Sequence, residues 1–176
     1  MSCVRARQDS IISAERATAP SWRFVASHPA HALAFVGGVG LIRFAPGTFG
    51  TLLGWAIGAA LVPLLAAPAY LALVAALFVL GVWACGVTGR DLGAHDHGGM
   101  VWDEVVAFML VLAIVPRELF WQLGAFVAFR FFDIAKPPPI RALERRWRNG
   151  FGVMADDLLA AGYALLLLSL IKRIFP

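Results

Sequence analysis

The sequence predicts an all-α fold, a small polytopic membrane bundle of about four to five apolar helices with its polar motifs gathered at one membrane face. Of the 176 residues, 60% are hydrophobic and only 15% are charged, whereas soluble globular domains average roughly 45–50% apolar residues. No charged residue occurs between Phe44 and Gly89. These observations favour a membrane bundle over the alternative, a soluble helical protein rich in Ala and Leu.

The first part of the chain differs in composition from the rest. Residues 1–30 contain four arginines, and residues 1–23 lack the apolar core of a secretory signal. We therefore expect a basic, disordered tail over residues 1–30 and a membrane-embedded domain over residues 31–176. The formal net charge of +4 lies beside apolar runs. This placement favours anionic lipid head groups over nucleic acid as the partner.

Five apolar runs are candidates for the helices of the bundle, namely residues 51–67, 69–89, 105–115, 119–129 and 158–171. A helix needs about 20 residues to cross a bilayer, so the second run is the best candidate for a full span. The third and fourth runs are short. We expect them to form a helical hairpin that reaches only part of the way across.

The most polar segment, residues 91–104, lies between two of these runs. It carries four carboxylates, which belong to Asp91, Asp96, Asp103 and Glu104. Charge beside a membrane span is costly unless it has partners, so such a cluster indicates a functional site. Residues 98 and 99 are both glycine and predict a break. A helix that begins near Val101 would then hold Asp103 and Glu104 in its first turn, where the helix dipole favours negative charge.

A second acidic pair, Asp156 and Asp157, precedes the last apolar run. Basic residues crowd the tail and residues 130–148, whereas the turns at residues 63–68 and 116–118 contain only Arg117. By the positive-inside rule, the tail and the basic loop are cytoplasmic. All polar motifs then face the cytoplasm, and we expect the two acidic pairs to converge there.

Phosphate-binding candidates occur in two other segments. Gly47 and Thr48 follow a glycine-rich stretch and precede an apolar run, where a helix N-terminus could bind phosphate. The alternative for Thr48 is a helix cap in a plain loop, since no Walker sequence is present. Arg130 and Lys136 flank a second candidate segment, and their side chains could hold phosphate oxygens.

Carboxylates without a zinc-type Cys/His set suit a hard cation, and we expect Mg²⁺. The candidate metal ligands are Asp103, Glu104, Asp156, Asp157 and Asp133. The candidate catalytic residues are Asp103, Glu104, Asp156 and Asp96. The competing class is a non-enzyme, either a small ion-coupled transporter or a membrane scaffold. A transporter is expected to place charge at the bilayer midplane, whereas the charges here lie at the ends of apolar runs.

Four motifs, taken in order, resemble those of the phosphatidylglycerophosphatase A family in its proteobacterial form. They contain Pro46-Gly47-Thr48, Trp102-Asp103-Glu104, Lys136-Pro137-Pro138-Pro139 and Ala155-Asp156-Asp157. The similarity extends from about residue 35 to the C-terminus. Ala107, Met100 and Ala161 depart from the family pattern, but none of these departures removes a carboxylate.

The resemblance implies a Mg²⁺-dependent phosphatase in the bacterial inner membrane, with its active site facing the cytoplasm. The implied reaction removes the terminal phosphate of phosphatidylglycerol phosphate and yields phosphatidylglycerol. The substrate would therefore be an anionic phospholipid, and no obligate protein partner is implied. The residues by themselves indicate a cation site on a basic membrane surface, and this agrees with the expectation from the resemblance.

Overall fold

The computed structural model describes residues 20–174, apart from the side chains of residues 144 and 145. Every regular element in this part of the chain is helical, as predicted. The elements in order are α1 (Trp22–Ser27), α2 (Pro29–Ala34), a 3₁₀ segment (Val36–Leu41), α3 (Pro46–Leu61), α4 (Ala67–Leu92), α5 (Trp102–Leu112), α6 (Leu119–Ala135), α7 (Ile140–Arg146) and α8 (Gly150–Ile174).

Among the described residues, only α4 and α8 are long and apolar enough to cross a membrane, which is fewer than the four to five helices predicted. The other apolar helices are shorter: α3 has 16 residues, α5 has 11 and α6 has 17. At a rise of about 1.5 Å per residue, such helices fall short of a hydrocarbon core about 30 Å thick. Apolar composition alone does not make a helix a span, because length limits how many of the apolar helices can cross a membrane.

The last helix begins earlier than its apolar run suggests. Helix α8 begins at Gly150, and the Asn149 side-chain oxygen accepts a hydrogen bond from the Gly152 N–H at 3.0 Å. This contact satisfies one of the free N–H groups at the start of the helix. Asp156 and Asp157 therefore lie beyond the first turn of α8 rather than at its start.

Helix α3 also begins before its expected start at residue 51. Ala45 precedes it in the left-handed region, with φ 46° and ψ 52°, and Pro46 is its first residue. Proline suits this position because its fixed φ is helical and its missing N–H would have no intrahelical acceptor. Thr48 is therefore inside the first turn and is not the residue that caps the helix.

Helix α5 lies at the centre of the bundle. Its residues 105–109 are each at most 2% exposed, and it packs against α3, α4, α6 and α8. A helix that is apolar on all sides is typical of such a buried position. Because α5 is held on every side, the two carboxylates in its first turn have a fixed position.

A row of glycines on α3 permits the close approach of α5. Gly50, Gly54 and Gly58 recur at helical spacing on one face. A Cβ atom at Gly54 would lie 2.5 Å from the Val105 carbonyl oxygen, and one at Gly50 would lie 2.9 Å from the Val101 carbonyl oxygen. Small residues at this spacing allow two helix backbones to approach closely.

Helix α2 packs on α4, and α1 packs on α2. The buried His31 side chain joins α2 to the C-terminal part of α4, since its Nε2 atom lies 2.9 Å from Asp91 Oδ2. Part of the predicted tail, residues 1–19, lies outside the described residues. Residues 20–30 of the predicted tail include α1 and the first residues of α2. The boundary between the tail and the membrane-embedded domain at residue 30 stays a prediction.

Large apolar side chains on the outside of the bundle support a membrane environment. Val79 on α4, Val127 on α6 and Leu166 on α8 are each more than 60% exposed. Soluble monomers rarely expose apolar surface of this extent. Together with the two long apolar helices, this surface indicates association with a membrane.

Candidate active site

The N-terminal parts of α5 and α8, the C-terminal end of α6 and the loop before α5 enclose a polar cavity of about 160 Å³ at one end of the bundle. We call this space the acidic cavity, and its lining consists of Asp96, Gly98, Met100, Asp103, Glu104, Asp133, Lys136, Val153, Asp156 and Asp157.

Three carboxylates converge in the wall of the acidic cavity. One oxygen each of Asp103, Glu104 and Asp157 lies within 4.8 Å of the others. Three of their buried oxygens, Asp103 Oδ1, Glu104 Oε2 and Asp157 Oδ2, have no hydrogen-bond partner among the described residues. A buried carboxylate oxygen without a partner is costly. The cluster therefore requires a positive group or protons.

The local electrostatics of α5 agree with this requirement. Burial raises the pKa of the Asp103 carboxyl well above its usual range, and the neighbouring Glu104 and Asp157 carboxylates raise it further. Burial also raises the pKa of Glu104, although its hydrogen bond with Asp103 and the Arg130 guanidinium act in the opposite direction. A cation bound between these groups would stabilise their ionised forms.

Arg130 supplies positive charge to one side of the cluster. Its Nη1 atom donates to Asp133 Oδ2 at 2.6 Å and lies 3.5 Å from Glu104 Oε1. Its Nε–H group is buried and has no acceptor among the described residues. Gly47 covers this ion pair, because a Cβ atom there would lie 2.0 Å from Glu104 Oε1.

Lys136 supplies positive charge to the opposite side. It follows α6 in the left-handed region, with φ 41° and ψ 63°, which directs the chain away from the helix axis. Its Nζ atom lies 3.6 Å from Asp96 Oδ2 and 3.5 Å from Asp156 Oδ2. One ammonium group thus links the loop before α5 to α8 across the acidic cavity.

The donor set fits a hard divalent cation. Every ligand candidate is an oxygen, and the three clustered carboxylates could share one ion. Magnesium is typically bound through one or two carboxylates, water and substrate phosphate, at about 2.0–2.1 Å. The unpartnered oxygens and the nearby basic groups would therefore suit a phosphate-containing ligand together with a cation.

Comparison with known proteins places the chain in a family. A sequence model described as "Phosphatidylglycerophosphatase A" matches residues 32–172. The chain belongs to the phosphatidylglycerophosphatase A family. It is 48% identical over 147 residues to phosphatidylglycerophosphatase A of Haemophilus influenzae, across 82% of this chain and 90% of the relative.

Two further relatives are similar over most of the chain. Phosphatidylglycerophosphatase A of Escherichia coli is 37% identical over 142 residues, across 78% of this chain and 80% of the relative. A Bacteroides thetaiotaomicron protein provisionally named phosphatidylinositol-3-phosphatase is 39% identical over 142 residues, across 77% of this chain and 88% of the relative. No solved structure matches the chain. Membership of the family confirms the resemblance and indicates a phosphoric monoester hydrolase.

Most residues predicted for the site meet at the acidic cavity. Seven of them line it, and they are Asp96, Asp103, Glu104, Asp133, Lys136, Asp156 and Asp157. Arg130 and Gly47 contact it through Glu104. Thr48 is different, because its hydroxyl makes no hydrogen bond within the described part of the chain. Its N–H donates to the Ala45 carbonyl oxygen at 2.9 Å. The roles of all these residues stay predictions.

Some residues that shape the cavity were not predicted from the sequence. Gly98, Met100 and Val153 line it. Thr51 donates a hydrogen bond from its buried hydroxyl to the Gly47 carbonyl oxygen at 2.8 Å and so fixes the first turn of α3. The spacing of four residues between Thr51 and Gly47 is the signal for such a contact, whereas the apolar lining had no sequence signal.

Proposed function

We propose that this chain is a Mg²⁺-dependent phosphatidylglycerophosphatase of the bacterial inner membrane, with the acidic cavity facing the cytoplasm. The proposed reaction hydrolyses the terminal phosphomonoester of phosphatidylglycerol phosphate to phosphatidylglycerol and inorganic phosphate. The names of the Haemophilus influenzae and Escherichia coli relatives support this substrate. The basic residues near the cavity support the orientation, since positive charge favours the cytoplasmic side.

One observation carries the proposal: buried carboxylate oxygens without partners belong to residues of a cavity that Lys136 lines and that Arg130 contacts through Glu104. A cation site alone would not need Arg130 and Lys136 beside it. A phosphate site alone would not need Asp103, Glu104 and Asp157. A phosphomonoester bound together with a divalent cation needs both sets.

The division of roles follows from the positions of the side chains. We assign the cation to Asp103, Glu104 and Asp157, with Asp133 and Asp156 as further donors at the edge of the cluster. When bound, Mg²⁺ would offset their negative charge and polarise the phosphoryl oxygens. Arg130 and Lys136 would bind phosphate oxygens that the cation does not reach.

The hydrolysis itself needs an attacking water and a proton acceptor. We assign the acceptor role to Asp96 or Asp156, whose carboxylates meet at the Lys136 ammonium. As the water oxygen bonds to phosphorus, its proton passes to the carboxylate and the ester P–O bond breaks. The leaving glycerol oxygen then takes this proton from the carboxyl group and becomes the free hydroxyl of phosphatidylglycerol.

The direct test measures phosphate release from phosphatidylglycerol phosphate in detergent micelles, with Mg²⁺ and with EDTA. We expect release only with Mg²⁺. Asp103→Asn should lower kcat by more than about 100-fold, because changes outside the ligand shell of metal sites already cost roughly 10–100-fold. It should also weaken Mg²⁺ binding measured by calorimetry. Glu118→Gln removes an equal charge just before α6, and its kcat should stay within about twofold of the wild-type value.

Two results would contradict parts of this proposal separately. If the wild-type protein releases phosphate only from phosphatidylinositol 3-phosphate, the phosphatase class stands and the substrate is wrong. If Asp103→Asn binds Mg²⁺ as tightly as wild type, the metal assignment is wrong. A transporter or scaffold, the competing class, would release phosphate from neither lipid.

A further inference from the structure

A second cavity, of about 300 Å³, lies between the C-terminal end of α4 and the N-terminal end of α8. Its polar lining consists of Arg90, His95, Arg148 and Asn149. We call it the basic cavity. None of these four side chains has a role in the function proposed above, and the family name gives them none.

The basic cavity has the electrostatics of an anion site. Arg90 and Arg148 form no ion pair with a described residue, so both guanidinium groups can bind a ligand. Gly150, the first residue of α8, also lines the cavity. The partial positive charge at the start of this 25-residue helix adds to that of the arginines.

Glycines let α4 and α8 come into backbone contact beside the basic cavity. A Cβ atom at Gly150 would lie 2.0 Å from the Val82 carbonyl oxygen, and Gly86 faces it from α4. The Arg90 Nη1 atom lies 3.8 Å from the position of a Cβ atom at Gly86. The guanidinium group therefore lies beside the backbone contact between α4 and α8.

The basic and acidic cavities are neighbours. His95 lines the basic cavity, and the next residue, Asp96, lines the acidic one. On α8, Gly150 lines the first, while Val153 and Asp156 line the second. The helical rise of about 1.5 Å per residue places Val153 about 4.5 Å and Asp156 about 9 Å along the axis from Gly150. A ligand with two anionic groups a few bonds apart could occupy both cavities.

We infer that the basic cavity binds a phosphodiester, the one that joins the head-group glycerol to the lipid, while the terminal phosphate occupies the acidic cavity. This inference rests on the proposed function, because phosphatidylglycerol phosphate carries its two phosphates on one glycerol. Two arginines match a singly charged diester through several N–H donors. The basic cavity thus selects lipids whose head group contains a second phosphate.

The test compares Arg90→Gln, Arg148→Gln and the double variant with wild type in neutral detergent. The matched control is Arg146→Gln, which removes the same charge from exposed α7 outside the basic cavity. Each cavity variant should raise KM for phosphatidylglycerol phosphate by about tenfold, the effect of one lost charge-assisted hydrogen bond. The kcat value should stay within about threefold of wild type. Arg148→Lys, which keeps the charge, should raise KM less than Arg148→Gln does.

Product inhibition identifies the source of the bound phosphate. Phosphatidylglycerol retains the diester, so its inhibition should weaken in the cavity variants in parallel with KM. Inorganic phosphate should inhibit all variants equally, because it would bind in the acidic cavity. If the variants instead lose inhibition by inorganic phosphate, the basic cavity binds the free product and the inference is wrong.

Other outcomes also overturn the inference. Unchanged KM and unchanged phosphatidylglycerol inhibition would exclude the diester from the basic cavity. An equal increase of KM in Arg146→Gln would show a general effect of surface charge. The affinity for phosphatidylglycerol can also be measured at equilibrium in EDTA, for wild type and for the double variant. This measurement does not depend on turnover. If wild type releases no phosphate, the proposed function fails, and this binding measurement still decides the phosphodiester site.

Discussion

At Gly47 the backbone of α3 lies directly against the side chains of Glu104 and Arg130. The residue is helical and buried, so a positive φ is not the reason for a glycine at this position. The reason is that glycine has no side chain. Any Cβ atom there would occupy the space of the Glu104 carboxylate, and the carboxylate would have to leave the cluster.

We therefore expect Gly47→Ala to lower kcat/KM for phosphate release by at least about tenfold, which corresponds to about 1.4 kcal/mol. Steady-state kinetics and Mg²⁺ titration would measure the effect. The control is Gly162→Ala on α8, where a Cβ atom would have no neighbour within 4 Å. That change should leave kinetics unaltered and raise stability slightly, by about 0.5–1 kcal/mol. Equal kinetics in the two variants would refute the steric argument.

The residues of the acidic cavity differ in how far the sequence could predict them. Carboxylates between apolar runs are costly, and this cost made Asp103, Glu104, Asp156 and Asp157 visible as candidates. The environment of Thr48 could not be read in the same way. It depends on the left-handed conformation of Ala45, which moves the start of α3 to Pro46, and no local pattern predicts that conformation for alanine.

At the scale of elements, the contact between α3 and α5 determines the position of the acidic pair. Gly54 faces the Val105 carbonyl, so the distance between the two helix axes is set by backbone contact rather than by flexible side chains. An increase in this distance would displace α5, and with it Asp103 and Glu104, relative to Asp157 on α8. The glycines thus matter for the site although Gly54 does not contact it.

Gly54→Val should lower the free energy of unfolding by about 1–3 kcal/mol, the usual cost of overpacking. For a chain of this size Tm should fall by about 2–4 °C per kcal/mol. Thermal unfolding in detergent would measure this shift. Ala56→Val on the exposed side of α3 is the control and should leave Tm nearly unchanged. A similar shift in both variants would mean that β-branching, not contact with α5, is responsible.

Helix ends explain why the sequence predicted the elements better than their lengths. The break before α5 and its first-turn carboxylates agree with the prediction, because two glycines and an acidic pair are strong local signals. Helix α8 begins six residues before Asp156, which was expected at its start, because Asn149 caps a first turn that contains two glycines. The number of spans depends on helix length, and α3, α5 and α6 are shorter than the two candidate spans.

For the whole molecule, the proposed orientation can be tested by labelling. Basic residues at the cavity end include Arg90, Arg146 and Arg148, whereas Lys172 and Arg173 lie in the last turn of α8 at the other end. The positive-inside rule therefore favours a cytoplasmic cavity end, against the smaller opposing charge.

We expect a cysteine at Asn149 to react with an impermeant maleimide only from the cytoplasmic side, in a background without Cys3 and Cys85. A cysteine at the exposed Leu64, in the turn between α3 and α4, should react only from the opposite side. Labelling of both from one side would exclude a crossing by α4. Reversed accessibility would place the acidic cavity outside the cytoplasm and contradict the proposed localisation.

The unequal helix lengths have a consequence for the surrounding lipid. Helix α6 is nine residues shorter than α4, 17 against 26, and it exposes Phe120, Val127 and Ile134 along its length. A bilayer that covers only this apolar face must become thinner beside α6, at a cost of fractions of a kcal/mol per Å. The resulting depression would bring the lipid phosphates down to Arg130 and Lys136, at the C-terminal end of the same helix. A head group could then reach a recessed site while its acyl chains stay in the leaflet.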